Sequence, residues 1–112
     1  MFPDWDHIWY NLVPFMRIIA LKTLREYWET HANARQALQS WADHVRQGEW
    51  HTPEDLAREY GQDVLLPGQR AVFKIKGNQF RLVVHINFRR QIVFIRFIGT
   101  HAEYDKIDVM NI

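Results

Sequence analysis

The chain has 112 residues, of which 47% are hydrophobic and 24% are charged, and its formal net charge is +1. This composition supports one compact domain with one hydrophobic core, and it excludes an intrinsically disordered chain. The absence of cysteine excludes a disulfide framework, a thiol nucleophile and a thiolate metal site. A chain without disulfides is compatible with a reducing compartment, and we expect a cytoplasmic protein.

The first 15 residues fit no targeting class. Their two aspartates and two prolines interrupt the apolar run that a secretory signal requires, and the segment is too short and too polar to span a bilayer. Because Met16 directly precedes a strand-like run, we interpret residues 1–15 as an upstream extension and residues 16–112 as a single domain. The competing interpretation is an aromatic arm that packs on the domain or binds a partner, formed by Trp5, Trp9 and Tyr10.

A short strand and two helices are predicted next. Residues 17–21 are strand-like, and Thr23 followed by Glu26 has the spacing of a capping box that begins the first helix. Asn33 is predicted to cap the second helix, which Gly48 ends. The second helix carries one apolar stripe, formed by Ala37, Leu38, Trp41, Ala42 and Val45.

The third predicted helix is short. Thr52, Pro53 and the two acidic residues that follow have the order of an N-cap, a proline at the first helical position and an acidic first turn. This helix covers residues 53–60 and ends at Gly61. Residues 61–69 contain two glycines and a proline, and they are predicted to form a loop.

From residue 70 onward the hydrophobic period changes to two. Residues 71–76 form a strand, and Gly77-Asn78 is the turn of a hairpin whose second strand covers residues 79–88. A third strand follows over residues 92–98, and a helical turn begins near residue 101. These three strands form an antiparallel meander.

The order of the elements predicts an α+β domain. Two to three helices cover one face of a mainly antiparallel four-stranded sheet, and the first strand joins that sheet through a helical crossover, parallel to a later neighbour. In the long strand, Arg81 and His85 alternate with a face of large apolar residues, so they point to the open face of the sheet.

Positive charge is concentrated at the C-terminal end of the chain. Residues 70–112 contain eight Lys and Arg against three Asp and Glu, a net charge of +5, whereas residues 16–69 carry −2. This asymmetry indicates an anionic partner for the C-terminal part. The alternative is that Lys and Arg on edge strands only prevent aggregation.

Cationic side chains on the strands are the candidates for binding phosphate. Arg81 can hold a phosphate with two parallel hydrogen bonds. Lys74 and Lys76 are two residues apart in a predicted strand, so they share a face and can contact successive phosphates. The alternatives are a solvated, salt-bridged arginine and lysines that serve only solubility.

The remaining substrate-binding candidates lie farther along the meander. In the third strand, Arg96 falls on the same alternating face as apolar residues, an unusual position for an arginine. It is therefore either partly buried with a carboxylate partner or located at a boundary near the site. His85 on the open face, and Arg89 and Arg90 in the following turn, complete this set.

Two residues after the last strand are candidates for proton transfer. Histidine is the residue type suited to general acid or base work near neutral pH, which makes His101 one candidate, and Tyr104 can donate a proton, stack on a base or orient a phosphate. The structural alternative is that Thr100 caps the terminal turn, that Tyr104 packs, and that Asp105 pairs with Lys106 or Arg96.

Other chemistries have no support in the sequence. The histidines show no spacing typical of a zinc site, so no metal or cofactor is predicted. No glycine-rich phosphate loop and no Gly-x-Ser-x-Gly motif is present. An antitoxin or repressor is disfavoured because no helix-turn-helix pattern carries the basic residues.

Over residues 16–108 the chain resembles the HigB toxins of bacterial type II toxin–antitoxin systems, within the RelE-like superfamily. The order and spacing of several short segments carry the resemblance: Ala37-Leu38 with Trp41, Trp50 with Pro53-Glu54-Asp55-Leu56, Val72-Phe73-Lys74-Ile75 with Gly77-Asn78, Phe80-Arg81-Leu82-Val83, Phe94-Ile95-Arg96-Phe97, and Gly99-Thr100-His101 with Tyr104-Asp105.

The resemblance implies a compact RelE-like fold and a ribosome-dependent mRNA endonuclease that cuts RNA without a metal. It implies neutralisation by a HigA-type helix-turn-helix antitoxin. It aligns Arg81 with the mid-strand arginine of the RelE-like site, Lys74 and Lys76 with its basic strand residues, and His101 and Tyr104 with its late acid/base residue and tyrosine. The competing function is a non-catalytic module that binds RNA or a protein through the basic sheet face.

Overall fold

The structure is a computed structural model that describes residues 16–112. The proposed N-terminal extension and the alternative aromatic arm therefore lie outside the described residues. The strands and helices are, in chain order, β1 (Arg17–Ile19), α1 (Leu21–Thr30), α2 (Arg35–Arg46), α3 (Pro53–Tyr60), β2 (Leu65–Leu66), β3 (Arg70–Ile75), β4 (Phe80–Asn87), β5 (Ile92–Thr100) and α4 (His101–Tyr104), with short 3₁₀ turns at Ala32–Ala34, Gln62–Val64 and Val109–Asn111.

The sheet has the order β1-β5-β4-β3-β2. The strand β1 pairs in parallel with β5, and the other pairs are antiparallel. The predicted α+β class, the antiparallel meander and the parallel first strand are confirmed. The predicted number of four strands is wrong, because Leu65–Leu66 pairs with the start of β3 inside the segment that was predicted as a loop. A two-residue strand is too short to show a period of two.

The hydrophobic core lies between the helices and one face of the sheet. The buried side of α2 is the predicted stripe, in which Leu38 and Val45 are fully buried. From the sheet, β4 contributes the alternating set Phe80, Leu82, Val84 and Ile86. Full burial of one such side chain contributes about 1.5–3 kcal/mol, so this face stabilises the domain and leaves the opposite face available for the site.

The capping box of α3 is formed as predicted. The Asp55 N–H donates to Thr52 Oγ1 (3.2 Å), and the Asp55 carboxylate accepts from the Thr52 N–H (3.2 Å) and the His51 N–H (3.0 Å). The hydrogen bond from His51 is the main cause that holds the pKa of Asp55 below its ordinary value. The helix ends at Gly61, which has a φ of 96°.

The capping box predicted for the first helix and the N-cap predicted for the second are both wrong. The helix α1 begins at Leu21, so Thr23 lies within its first turn, and the Thr23 N–H donates to the Ala20 carbonyl instead (2.9 Å). Ala20 has a φ of 71° and offers no capping side chain. Asn33 lies in a 3₁₀ turn that precedes α2, and α2 has no side-chain cap.

An irregularity between β4 and β5 explains the unusual parity of Arg96. Val83 pairs with Phe97 whereas Val84 pairs with Ile95, so Arg96 has no partner directly opposite it. An extra residue of this kind forms a β-bulge and changes which residues face the core. Val93 and Ile95 consequently fill the core, and Arg96 is exposed, without the predicted carboxylate partner among the described residues.

Alanine substitutions of Thr52 and Thr23 should differ in their effect on stability, because only Thr52 caps a helix. Thr52→Ala removes a formed cap and should lower the free energy of unfolding by about 1 kcal/mol. Thr23→Ala changes an exposed position inside α1. It should leave the free energy of unfolding unchanged or raise it by a few tenths of a kcal/mol. Urea denaturation of both variants measures the difference, and equal destabilisation would contradict the assigned start of α1.

Candidate active site

The open face of the sheet, on the side away from α1 and α2, carries two of the predicted cationic residues, Lys74 and Arg81. The strand register puts Lys74 on β3 and Gly99 on β5 directly opposite Arg81 on β4. Arg81 is the buried charged residue of the described chain, with 7% of its surface exposed. The centre of the candidate site is therefore a buried arginine on the middle strand of β3, β4 and β5.

A small cleft of about 190 Å³ opens beside this arginine. It brings together three residues that the sequence predicted as catalytic, Lys74, Arg81 and Tyr104, although they come from β3, β4 and α4. The remaining lining residues are Tyr60, Asp63, Val64, Val72 and Phe73.

Neutral oxygen atoms hold the guanidinium group of Arg81. Its Nη1 donates to the carbonyls of Asn78 and Phe80, both at 3.2 Å, and Nη2 is 3.5 Å from the Asn78 side-chain oxygen. No salt bridge joins Arg81 to an Asp or Glu within residues 16–112, in contrast to the salt-bridged surface arginine considered as an alternative. A buried cation without an anionic partner is costly, and an anion in the cleft would offset that cost.

Gly99 allows an aromatic ring to pack beside Arg81. A Cβ atom at this position would lie 2.6 Å from Phe97 Cζ, which is closer than any real contact of this kind. The Phe97 ring in turn lies 6.5 Å from the ring of Tyr104, at an angle of 50°. The absence of a side chain at residue 99 thus lets Phe97 support Tyr104 from the sheet.

A capping box fixes the short helix that carries Tyr104. The Glu103 N–H donates to Thr100 Oγ1 (3.1 Å), and the Thr100 N–H donates to Glu103 Oε1 (2.7 Å). This backbone hydrogen bond from Thr100 is the main cause of the lowered pKa of Glu103. The capping role considered for Thr100 is confirmed, and it orients Tyr104 toward the cleft that this tyrosine lines.

His101 does not line the cleft. It is exposed, and its Nδ1 lies 3.0 Å from Asp105 Oδ2, so Asp105 pairs with His101 rather than with Lys106 or Arg96. Residues three apart in a helix are neighbours on its surface. His101 therefore lies on the same side of α4 as Tyr104 but outside the cleft lining.

Lys76 is in a different setting from the one predicted. The strand β3 ends at Ile75, and Lys76 lies in the hairpin turn with a φ of 54°. Because this left-handed conformation interrupts the alternation of the strand, Lys74 and Lys76 do not share a strand face. Both lysines nevertheless line a second groove next to the cleft.

His85 is half-buried farther along the open face, opposite Arg70 on β3 and Phe94 on β5. Burial, followed by the charges of Arg70 and Arg96, lowers the pKa of His85. Its Nε2 is buried and has no hydrogen-bond partner among the described residues. It lies four positions after Arg81 in the strand, a distance of about 13 Å.

Arg89 and Arg90 are not brought to the cleft. They lie exposed in the turn between β4 and β5, eight and nine residues after Arg81. The strand from Arg81 to Asn87 alone spans about 20 Å, and the turn lies beyond its end. A contact of these residues with a substrate would therefore be made outside the cleft, by a ligand that extends along the sheet.

The comparison with known proteins agrees with the resemblance inferred from the sequence. The model of the HigB toxin family, described as the RelE-like toxic component of a toxin-antitoxin system, matches residues 34–107. This segment covers more than half of the chain. The chain belongs to the HigB toxin family. The matched segment includes every residue that lines the cleft.

Relatives of known identity cover most of this HigB-family chain. The mRNA interferase HigB of Escherichia coli O6:H1 (strain CFT073) is 28% identical over 94 residues, which are 82% of this chain and 91% of the relative. The mRNA interferase toxin HigB of Escherichia coli K12 and the mRNA interferase HigB of Shigella flexneri are each 27% identical over 92 residues, which are 80% of this chain and 88% of the relative.

Two residues that line the cleft, Tyr60 and Asp63, were not predicted from the sequence. Tyr60 ends α3, and its ring lies 5.0 Å from that of Phe73. Burial, followed by the charge of Glu59, raises the pKa of Tyr60 to about 12, so its phenol stays protonated at neutral pH. Asp63 lies in the 3₁₀ turn after Gly61, in the segment predicted as a loop. Neither position shows a periodic or motif signal, since both reach the cleft through tertiary packing.

The described residues include neither a metal-binding cluster nor a membrane-spanning helix. Among residues 16–112, no group of three or more His, Asp or Glu side chains is arranged to hold a metal ion. No helix in this part of the chain is long and apolar enough to cross a membrane.

His85 should make stability depend on pH. Its pKa in the folded state lies below the ordinary value of 6.5, so below about pH 6.5 the unfolded chain binds a proton that the folded chain resists. The free energy of unfolding should therefore fall between pH 7 and pH 5, and it should fall less in His85→Gln. Urea denaturation at both pH values tests this, since the carboxylates are common to both proteins and their contribution cancels. Equal losses would contradict the environment assigned to His85.

Proposed function

We propose that this HigB-family chain is an mRNA interferase, an endoribonuclease that cleaves translated mRNA and so inhibits translation. The observation that carries the proposal is the buried Arg81, which has no acidic partner among the described residues and lines one cleft with Lys74 and Tyr104. The names of the curated relatives, mRNA interferases of Escherichia coli and Shigella flexneri, support the same activity.

The proposed reaction is an attack of a ribose 2′-OH on the adjacent phosphate. A bond forms between the 2′-oxygen and phosphorus, and the bond from phosphorus to the 5′-oxygen breaks. Negative charge accumulates on the phosphoryl oxygens, and Arg81 and Lys74 would stabilise it. The loss of one preorganised group of this kind commonly costs about 3–4 kcal/mol of transition-state stabilisation.

Proton transfer would complete the reaction. A carboxylate accepts hydrogen bonds, whereas a neutral phenol can donate one, so Asp63 would take the proton of the 2′-OH and Tyr104 would donate to the leaving 5′-oxygen. Each such role is typically worth about two to four orders of magnitude in rate. His101, on the same short helix as Tyr104, is the alternative donor, and its contact with Asp105 would orient its imidazole.

The size of the cleft favours dependence on the ribosome. A volume of about 190 Å³ is below the usual range of roughly 300–1,000 Å³ for sites that enclose a small molecule. The cleft can therefore contact a phosphate and its near surroundings, but another surface has to hold the RNA in a reactive geometry. A ribosome that positions its mRNA would supply this orientation.

The proposed setting follows from this substrate. A protein that acts on translating ribosomes works in the cytoplasm, and its family membership requires an antitoxin partner. We assign that partner to the HigA type, with a helix-turn-helix domain. The net charge of +5 on residues 70–112 suits either an acidic antitoxin segment or RNA at this surface. The exposed cations Arg89, Arg90 and Arg96 would contact RNA beyond the cleft.

Substitutions in the cleft should abolish toxicity without unfolding the protein. Induced expression of the wild type in cells should arrest growth and cut translated mRNA, whereas Arg81→Ala and Lys74→Ala should each slow cleavage by about 100-fold or more, since each removes a stabilising cation. Tyr104→Phe should slow it by about 100-fold or more. Primer extension on cellular mRNA and growth curves measure these effects.

Lys22→Ala is the matched control, because it also removes one cation but from an exposed pair with Glu26 on α1. It should keep full toxicity. Circular dichroism should show that all variants are folded. Retained toxicity of Arg81→Ala and Tyr104→Phe would refute the site assignment. A folded wild type that protects RNA from other nucleases but leaves it intact would instead identify the non-catalytic binding module.

Cleavage should continue after divalent metals are removed from the toxin. The purified toxin, treated with EDTA and then freed of the chelator, should cut mRNA on programmed ribosomes at the rate of the untreated toxin, because side chains supply the positive charge. Added Zn²⁺ or Mn²⁺ should not accelerate the reaction. A loss of activity that either metal restores would refute the proposed metal-independent mechanism.

A further inference from the structure

A second groove adjoins the cleft on the side of α2 and α3. It has a volume of about 330 Å³ and shares two walls with the cleft, Tyr60 and Lys74. A ligand bound at Arg81 can therefore continue into this groove without leaving the protein surface. The other lining residues are Ala37, Ser40, Trp41, His44, Glu59, Ile75 and Lys76.

The electrostatics of the groove favour an anionic ligand. Lys74 and Lys76 both line it and are exposed. Its lining contains one acidic residue, Glu59, and both oxygens of that carboxylate are engaged within the protein. Oε2 accepts a hydrogen bond from Trp50 Nε1 (2.7 Å), and Oε1 contacts the imidazole of His44. The Glu59 carboxylate is therefore already bound by protein groups, whereas the two lysines remain available to a ligand.

Trp41 provides a second, independent indication of a ligand. Its side chain lines the groove, 6% of its surface is exposed, and its ring packs edge-on against Phe73 at 5.3 Å. The indole Nε1–H is buried and donates to no atom of the described residues. An unsatisfied buried donor commonly costs about 1–3 kcal/mol, and a small reorientation of the indole toward an acceptor in the groove would recover that cost.

Tyr60 adds a surface on which a base can stack. Its phenol ring stands between the cleft and the groove and is 38% exposed. Aromatic side chains on which bases stack, combined with a basic groove, are the usual elements of single-stranded nucleic-acid binding sites. A stacked base contributes about 1–3 kcal/mol and does not require a particular sequence.

We propose that this groove binds the ribonucleotide that flanks the scissile phosphate. The inference rests on the proposed function and assigns a substrate subsite to it. The scissile phosphate lies at Arg81, the neighbouring base stacks on Tyr60 and accepts a hydrogen bond from Trp41, and the next phosphate contacts Lys76. A flanking ribonucleotide is favoured over a protein segment because the groove is continuous with the phosphate cleft and its free groups are cations and a hydrogen-bond donor.

The test uses uridylate dimers and trimers with 2′-O-methyl groups, which the enzyme cannot cut because the nucleophile is blocked. In ¹H–¹⁵N spectra of the full chain, the trimer at millimolar concentration should shift the indole resonance of Trp41. The resonance of Trp28, which lines a separate groove between α1 and α2, should stay in place. Substitution of each tryptophan by phenylalanine assigns the peaks.

Lys76→Ala should weaken trimer binding about 5- to 10-fold and leave dimer binding unchanged. It should also reduce the slope of log K against log salt for the trimer by about 0.7, the value expected for one lost phosphate contact on a single strand. Lys22→Ala, a lysine outside the groove, should change neither quantity. Equal weakening of dimer and trimer by Lys76→Ala would refute the proposal.

The amide resonances of Arg81 and Gly99 report on the cleft separately. If both oligonucleotides shift them while the Trp41 indole stays in place, the flanking subsite is refuted and the proposed function stands. If the Trp41 indole fails to move and the cleft also shows no response, the groove proposal is refuted, and growth arrest by the wild type still decides the proposed function.

Displacement of the trimer by a purified antitoxin, with no loss of trimer affinity in Lys76→Ala, would indicate a protein-binding groove instead.

Discussion

A positive charge buried in the sheet without an acidic partner is the constraint on which the site depends. Arg81 is 7% exposed, and the groups that hold it are the neutral oxygens of Asn78 and Phe80. Removing an ion from water costs several kcal/mol even after the protein relaxes, so the fold is most stable when an anion approaches this side chain. The hydrophobic core on the other face of the sheet supplies the stability that makes this arrangement possible.

The register of the sheet determines which groups meet that charge. Pairing of β3 with β4 brings Lys74 opposite Arg81, and pairing of β4 with β5 brings Gly99 to its other side. Because Gly99 has no side chain, Phe97 can pack there and support Tyr104, while the capping box at the start of α4 fixes the backbone that carries this tyrosine. Preorganisation of this kind would suit the proposed reaction, because a cleft of about 190 Å³ cannot enclose an RNA strand.

Elements with a strong local signal were predicted from the sequence with accurate limits. The helix α3 has its own cap, proline and terminal glycine, and the meander has a clear period of two, so both were recognised. The predictions failed where the deciding interaction is not local. The start of α1 is set by the left-handed turn at Ala20, the strand β2 exists only through its pairing with β3, and the turn at Lys76 interrupts an otherwise regular alternation.

The sequence by itself determined the α+β class, the resemblance to the HigB toxins, and the residues that carry cationic and acid/base chemistry, because composition, period and spacing report local propensity and residue type. Only the tertiary structure decided which of these residues meet. It brings Tyr104 into the cleft, leaves His101 outside the cleft lining, and adds Tyr60 from the end of α3 and Asp63 from the 3₁₀ turn that follows. Such proximity depends on strand register, on the bulge at Arg96 and on helix packing, and these long-range contacts leave no periodic trace in the chain.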